Sequence, residues 1–118
     1  ISGIDQLKEE VLIKKKFNDS IQLIFTSDKK IKDVVPYLKQ CKFCIGNDTG
    51  FAHLSVNLDI ETLMIYGDCP PQSYSTLINH IDIEPDVTRS SISINTIKID
   101  KVLNKLSNFL LVIVNPVA

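Results

Sequence analysis

The segment from Cys44 to Leu54 constrains the fold of this chain more than any other part of the sequence. Its apolar start ends at Ile45 and predicts a strand, the residues from Gly46 to Gly50 predict a tight turn, and Phe51 to Leu58 predict a helix. A strand that passes directly into a helix through a polar turn is typical of α/β proteins. In such proteins ligands collect beyond the carboxyl ends of the strands.

The side chains of this turn suit an anion. Asn47, Asp48 and Thr49 can cap the helix, and Gly50 allows a ligand to approach the backbone closely. The first amides of a helix lack partners within it and lie at the positive end of its dipole, so a phosphate or diphosphate fits there, within reach of His53. A plainer interpretation remains open, in which the turn is simply well capped and Gly50 relieves backbone strain.

Asp-Thr-Gly is also the catalytic tripeptide of retroviral-type aspartic proteases, in which two carboxylates share a proton. That fold is all-β and needs a second aspartate from a partner or a repeat. Here a helical pattern follows the tripeptide directly, and the sequence contains no second copy. The context therefore excludes the protease interpretation.

A longer run, residues 42–58 followed by 62–68, resembles the carboxy-terminal domain of glycosyltransferase family 9, the heptosyltransferases that build the inner core of bacterial lipopolysaccharide. In that family a strand ends in Gly-x-Asp-Thr-Gly-x-x-His-Leu, and the next strand ends in an aromatic residue followed by glycine. The matching residues here are Gly46, Asp48, Thr49, Gly50, His53, Leu54, Tyr66 and Gly67.

The resemblance implies a GT-B architecture, in which two Rossmann-like domains face a cleft and the second holds the nucleotide-sugar. It implies that the Thr49 and Gly50 amides hold the diphosphate, that Asp48 contacts donor hydroxyls or groups near the phosphates, and that His53 supports the site. Gly67 and Asp68 open the loop that faces the sugar. Asp68 is either a second acidic group near the donor or a loop-capping carboxylate. In this loop the chain has Asp68 to Gln72 where family members have Pro-Thr.

The resemblance also implies partners. The donor is a nucleotide-sugar such as ADP-heptose, which is a substrate, so no cofactor is expected. An amino-terminal acceptor domain supplies the catalytic carboxylate, so we expect residues 1–118 to be a single, partial domain that contains no catalytic residue and is inactive alone. We expect no metal, because the sequence has no Asp-x-Asp motif. The full enzyme would act in the cytoplasm, at the inner face of the bacterial inner membrane, and contact the membrane peripherally.

Composition agrees with a soluble intracellular domain. Hydrophobic residues make up 44% of the chain and charged residues 23%, and the formal net charge is −1, so no basic surface for nucleic acid is implied. No run approaches the roughly 20 apolar residues that a membrane span needs. Three cysteines, Cys41, Cys44 and Cys69, cannot all pair. Cys41 and Cys44 have redox or zinc spacing without a second ligand pair, and Cys44 falls inside a predicted buried strand, so we expect buried thiols at these two positions.

Helical and strand patterns alternate along the chain, which predicts an α/β, Rossmann-like, doubly wound parallel sheet of about three to five strands, resembling the carboxy-terminal half of a GT-B glycosyltransferase. Three classes of element are expected. The predicted helices are Asp5 to Phe17, a helix capped by Ser27 or Asp28 that reaches Gln40, the helix after Thr49, and Ile99 to Leu110; the predicted strands are Ser20 to Phe25, Phe43 to Gly46, Glu61 to Tyr66, Ile81 to Ile83 and Ile92 to Ile94; and the loops include Gly67 to Tyr74 and the turn Pro85 to Ser91.

Three functions fit these observations to different degrees. The first is the donor-binding domain of an enzyme that transfers a heptose-like sugar from a nucleotide-diphosphate donor to a lipopolysaccharide-type acceptor. The second is a stand-alone module that binds nucleotides or phosphosugars without catalysis. The third, a flavodoxin-like or response-regulator-like interaction domain, ranks last because neither a phosphoacceptor aspartate after the first strand nor a late lysine is found.

Overall fold

The computed structural model describes residues 7–17 and 23–114. Their contacts divide the chain into two compact units, Ile1–Leu38 and Lys39–Ala118. The first unit contains helices α1, Leu7–Phe17, and α2, Ile31–Leu38. The second contains strand β1, Phe43–Asn47; helix α3, Gly50–Asn57; strands β2, Glu61–Ile65, and β3, Ile78–Ile81; a 3-10 turn, Ser93–Thr96; and helix α4, Ile99–Val114.

Both helices predicted for the first unit form, with corrections at the start and end of α2. The Val34 N–H donates to the Lys30 carbonyl at 3.2 Å, which makes Lys30 the residue before the helix. Ser27 and Asp28 lie in the preceding turn, so the prediction that either caps α2 is wrong. Pro36 lies inside α2 and lacks the backbone N–H that would donate to the Lys32 carbonyl. The helix ends at Leu38 rather than Gln40.

The predicted strand Ser20 to Phe25 is wrong in its described part. Residues 23–25 have no regular structure, whereas residues 20–22 lie outside the described residues. Ile24 is 57% exposed, so this apolar stretch is not covered as a sheet strand would be. The Phe25 ring instead lies 4.5 Å from the Lys14 ammonium of α1, a cation–π contact.

The second unit is built on a three-stranded parallel sheet in the order β1-β2-β3. Phe43 lies opposite Glu61, and Thr62 lies opposite Ile78. Helix α3 joins β1 to β2, as the sequence predicts, but residues 66–77 join β2 to β3 without a helix. The described strands lie side by side in the order in which they occur along the chain.

Two predicted short strands differ from the structure. Pairing of β3 begins at Ile78 rather than Ile81, and it ends before Ile83, whose N–H donates to the Asp82 side chain at 2.8 Å. The predicted strand Ile92 to Ile94 falls in the 3-10 turn. There the Thr96 hydroxyl donates to the Ser93 carbonyl at 2.7 Å, so side chains satisfy the backbone locally instead of a sheet ladder.

Helices cover the sheet on both faces. On one face Ala52 and Val56 of α3 pack with Met64, and Tyr66, Leu77 and Ile78 complete the cluster. On the other face Phe109 of α4 packs with Leu63 and Ile81. Each such large side chain contributes roughly 1.5–3 kcal/mol when fully buried. The prediction of an α/β fold with a parallel sheet is confirmed, and so is the final helix, which extends to Val114.

The cysteine prediction is largely wrong. No disulfide links the three cysteines; Cys41 and Cys69 are exposed, and Cys44 is half-buried in β1. Among residues 7–17 and 23–114 there is no cluster of three or more histidine, cysteine or carboxylate side chains that could hold a metal. Within the same residues, no helix combines the length and apolarity needed to cross a membrane.

Candidate functional site

The turn between β1 and α3 lies at the carboxyl edge of the sheet. The Asp48 N–H donates to the Ile65 carbonyl at 3.1 Å, which continues the pairing of β1 with β2 by one residue. Thr49 follows as the N-cap residue of α3, with extended backbone angles. Its side chain makes no capping hydrogen bond. Thr49 therefore has the predicted position without the predicted capping contact.

The start of α3 is open in front of Gly50. No glycine among the described residues has a positive φ, and a Cβ built at Gly50 meets no atom within 4 Å. Gly50 therefore relieves no backbone strain, and that interpretation of the turn is wrong. The His53 N–H, bonded to the Thr49 carbonyl at 3.1 Å, is the first to find an acceptor in the helix. The amides of residues 50–52 precede it and have no acceptor within the helix.

His53 is held between a carboxylate and a phenol. Its Nε2 lies 2.6 Å from Asp48 Oδ1, and its Nδ1 lies 2.6 Å from the Tyr74 hydroxyl. The His53 and Tyr74 rings are also stacked, with centroids 5.7 Å apart. If Nε2 donates to Asp48, Nδ1 of the neutral ring accepts from Tyr74, and a protonated ring donates to both. The imidazole therefore has hydrogen-bond partners in either charge state.

The contact with Tyr74 brings together the two loops that the sequence places at one sheet edge. Tyr74 belongs to the connection after β2, and its hydroxyl reaches a side chain of α3. Tyr74 is not among the residues that the sequence predicts for the site. Because Tyr74 lies 21 residues from His53, no local spacing signals their hydrogen bond.

Tyr66 and Gly67 serve packing. Tyr66 is fully buried and donates to Met64 Sδ at 3.2 Å, and burial raises the pKa of its phenol above the ordinary value, although a hydrogen bond with the Gln72 backbone opposes the shift. A Cβ at Gly67 would lie 2.6 Å from Ile94 Cβ, so only glycine fits there. The Asp68 side chain is exposed and makes no hydrogen bond or ion pair with the described residues, so it is not a capping carboxylate.

The single arginine of the chain, Arg89, anchors the loop after β2. Its Nη1 donates to the Gly67 carbonyl at 3.2 Å and to the Cys69 carbonyl at 2.9 Å. The same guanidinium binds Asp82 at 2.9 Å and 2.5 Å through both carboxylate oxygens. Sequence reasoning missed this contact. One signal was available in the sequence. A single arginine lies in the polar loop after β3, and an aspartate directly follows that strand.

A cavity of about 890 Å³ lies elsewhere, between β3 and α4, and none of the predicted site residues lines it. Size alone would favour this cavity as a binding site. However, one of its lysines, Lys101, already donates to the Asp82 carbonyl at 2.7 Å and to Glu84 at 2.8 Å. The turn at Gly50 offers amides without helical acceptors, so its chemistry makes it the better candidate for an anion.

The family model of Glycosyltransferase family 9 (heptosyltransferase) matches residues 7–92. The matched range includes the turn at Gly50, Tyr74 and Arg89, and it ends before α4. No curated protein and no solved structure matches the chain significantly.

The ion pair of Asp82 with Arg89 predicts a distinct acid response. The hydrogen bond from Arg89 lowers the pKa of Asp82 below its ordinary value near 3.8. The stability that this ion pair contributes is fully present at pH values above the pKa of an unfolded aspartate. It declines as the pH falls below that value and is lost once the pH falls below the lowered pKa of the folded state. Urea unfolding between about pH 6 and pH 2.5 should therefore show a smaller acid loss of stability in Asp82→Asn than in the wild type.

The matched control is Asp86→Asn, because Asp86 is exposed and lies in the same connection. It should keep the acid response of the wild type. An Asp82→Asn variant that loses stability with pH as steeply as the wild type would show that Asp82 gains nothing from Arg89.

Proposed function

Because the chain belongs to glycosyltransferase family 9, we propose that its Lys39–Ala118 unit binds the diphosphate of a nucleotide-sugar donor at the start of α3. Family membership supports glycosyl transfer as the reaction. The donor-binding role rests above all on the open turn at Gly50, where neither backbone conformation nor packing accounts for a glycine. A ligand that approaches the backbone closely accounts for it.

The start of α3 has the chemistry that a diphosphate needs. The amides of Gly50 and Phe51 precede the first intrahelical hydrogen bond, and the helix dipole adds partial positive charge at the same point. Because the Thr49 side chain forms no cap, its hydroxyl is available as a further donor. Together these groups can neutralise part of the diphosphate charge without a metal ion.

The carboxylate of Asp48 would oppose a nearby diphosphate unless its charge were balanced. His53 offsets part of that charge, because its Nε2 lies 2.6 Å from Asp48 Oδ1 and can donate a hydrogen bond to it in either charge state of the ring. The side chains of Asp48 and His53 are 16% and 26% exposed, so the pair is partly screened from water. Asp48 Oδ2 makes no hydrogen bond with the described residues. In this proposal Oδ2 accepts a hydroxyl of the donor sugar.

The finer assignments follow the family. We propose ADP-heptose or a similar nucleotide-sugar as the donor and a lipopolysaccharide-type saccharide as the acceptor, which places the reaction at the cytoplasmic face of the inner membrane. Gly67 and Asp68 open the loop beside the sugar, and the exposed carboxylate of Asp68 faces solvent without a protein partner. An acceptor-side domain of the GT-B kind supplies the general base, because Asp48 and His53 both belong to the donor side.

Filling the space in front of Gly50 tests the diphosphate site. Gly50→Val should fold normally, because the position is open and has no positive φ, yet its side chain should keep a diphosphate from the amides. Calorimetric titration with ADP should show affinity weaker by roughly tenfold or more, with Gly50→Ala intermediate. Gly46→Ala, whose Cβ would lie 3.9 Å from Ala52, is the control. Equal ADP affinity in wild type and folded Gly50→Val would remove this turn from the site.

Asp48→Asn tests the contact with the sugar. Asparagine keeps the size of the side chain but is a poorer acceptor for a hydroxyl, so binding of ADP-heptose should weaken more than binding of ADP. The control is Asp59→Asn, at the opposite end of α3, where a φ of 62° suits asparagine as well as aspartate. Equal losses for the two ligands would place Asp48 away from the sugar. Unchanged binding of both would exclude it from the site.

A further inference from the structure

We infer that Arg89 is a positioning residue for the proposed donor site, acting through the loop of residues 66–77 to place Tyr74 against His53. The effect of this placement on ligand binding rests on the proposed function. The placement itself is a property of the chain without ligand, so it can be tested separately.

Arg89 is fixed on the side away from the loop. Its guanidinium forms two hydrogen bonds with the Asp82 carboxylate, a planar arrangement that sets orientation as well as distance. Asp82 follows β3 directly, and its Oδ1 also accepts the Ile83 N–H at 2.8 Å. The Asp82 carbonyl accepts from Lys101 of α4 at 2.7 Å. Arg89 is therefore held by groups that the sheet and α4 keep in place.

The loop is fixed where Arg89 touches it. The Gly67 carbonyl accepts from Arg89 at 3.2 Å and from the Ser93 hydroxyl at 2.8 Å, and Ile94 packs directly against the Gly67 Cα. The Cys69 carbonyl accepts from Arg89 at 2.9 Å. These two carbonyls flank Asp68. If Arg89 were lost, the Gly67 carbonyl would keep its hydrogen bond from Ser93, whereas the Cys69 backbone has no other hydrogen bond with the described residues.

The far side of the loop depends on Tyr74, which is 54% exposed and therefore weakly held by packing. Tyr74 is joined to α3 by the hydrogen bond between its hydroxyl and His53 Nδ1 and by the stacking of its ring on the imidazole. Residues 68–70 and 72–74 are exposed, so the backbone between Gly67 and Tyr74 has little burial to set its course. Two hydrogen bonds hold it instead: Arg89 binds the Cys69 carbonyl, and the buried Tyr66 phenol binds the Gln72 backbone. Arg89 thus sets the first half of that course, on which the position of Tyr74 against His53 depends.

The consequence for the donor is specific. Arg89 contacts neither Asp48 nor the α3 amides, so its removal should leave the diphosphate site intact while the sugar-facing loop loses its position. Arg89→Gln should therefore weaken binding of ADP-heptose by roughly tenfold and change binding of ADP much less. A loss of stability alone would weaken both ligands equally.

A double-mutant cycle without ligand tests the positioning directly. The ring ¹⁵N chemical shifts of His53 report the hydrogen bond at Nδ1, and Tyr74→Phe removes that bond. Arg89→Gln should change the His53 shifts in the same direction as Tyr74→Phe, and the double variant should add nothing further. Lys105→Gln is the matched control, since Lys105 is an exposed lysine of α4 that hydrogen-bonds neither Asp82, Arg89 nor the loop. It should leave the His53 shifts unchanged.

Arg89→Lys is the second variant, and it keeps the charge while reducing the number of donors. It should retain the fold and recover part of the wild-type His53 shifts. Wild-type His53 shifts in folded Arg89→Gln, or fully additive effects of the Arg89 and Tyr74 substitutions, would overturn the inference. If the shifts are coupled but the wild type binds no ADP, the proposed function fails and the positioning role of Arg89 stands.

Discussion

The parallel pairing of β1 with β2 is the constraint on which the rest of this site depends. Parallel strands end at the same edge of a sheet, so the turn after β1 and the loop after β2 emerge side by side. The Asp48 N–H bonded to the Ile65 carbonyl extends that pairing to the first residue of the turn. It fixes the carboxylate, the N-cap Thr49 and the open face at Gly50 relative to the loop that carries Tyr74.

Charge organises the groups gathered at this edge. A carboxylate beside a helix N-terminus is favourable by itself, but it competes with any anion that approaches the same amides. The Asp48–His53 pair limits the competition, because the imidazole holds one oxygen of the carboxylate through Nε2 while Tyr74 holds its Nδ1. A second pair, Asp82 with Arg89, lies behind the loop and acts on its backbone carbonyls. Each of these two carboxylates is thus hydrogen-bonded to a nitrogen-bearing side chain.

Local signals in the sequence sufficed for the strand, turn and helix around Asp48 and for α4. There the apolar spacing, Gly50 and the N-cap residue all favour one structure. They failed where the outcome depends on distant partners. The apolar stretch before Ser27 predicted a strand, yet Ile24 is exposed and Phe25 meets a lysine. The alternating residues 92–94 lead into the 3-10 turn Ser93–Thr96 instead of a strand, because serine and threonine hydroxyls satisfy the backbone there.

The candidate site divides in the same way. Asp48, Gly50 and His53 could be singled out from spacing alone, because all three lie within one strand-to-helix turn. Tyr74 and Arg89 could not be singled out from spacing. Their contacts span about 20 residues of sequence and depend on the path of a loop that carries no helix. The exposed Cys41 shows the same limit, because burial of a small apolar side chain is decided by neighbours that composition does not reveal.

A crystal structure of the chain with ADP tests the central claim most directly. The account predicts diphosphate oxygens within about 2.7–3.2 Å of the Gly50 and Phe51 amide nitrogens, with the Asp48–His53 hydrogen bond retained beside them. Diphosphate bound in the cavity between β3 and α4, with the amides at the start of α3 unoccupied, would contradict it.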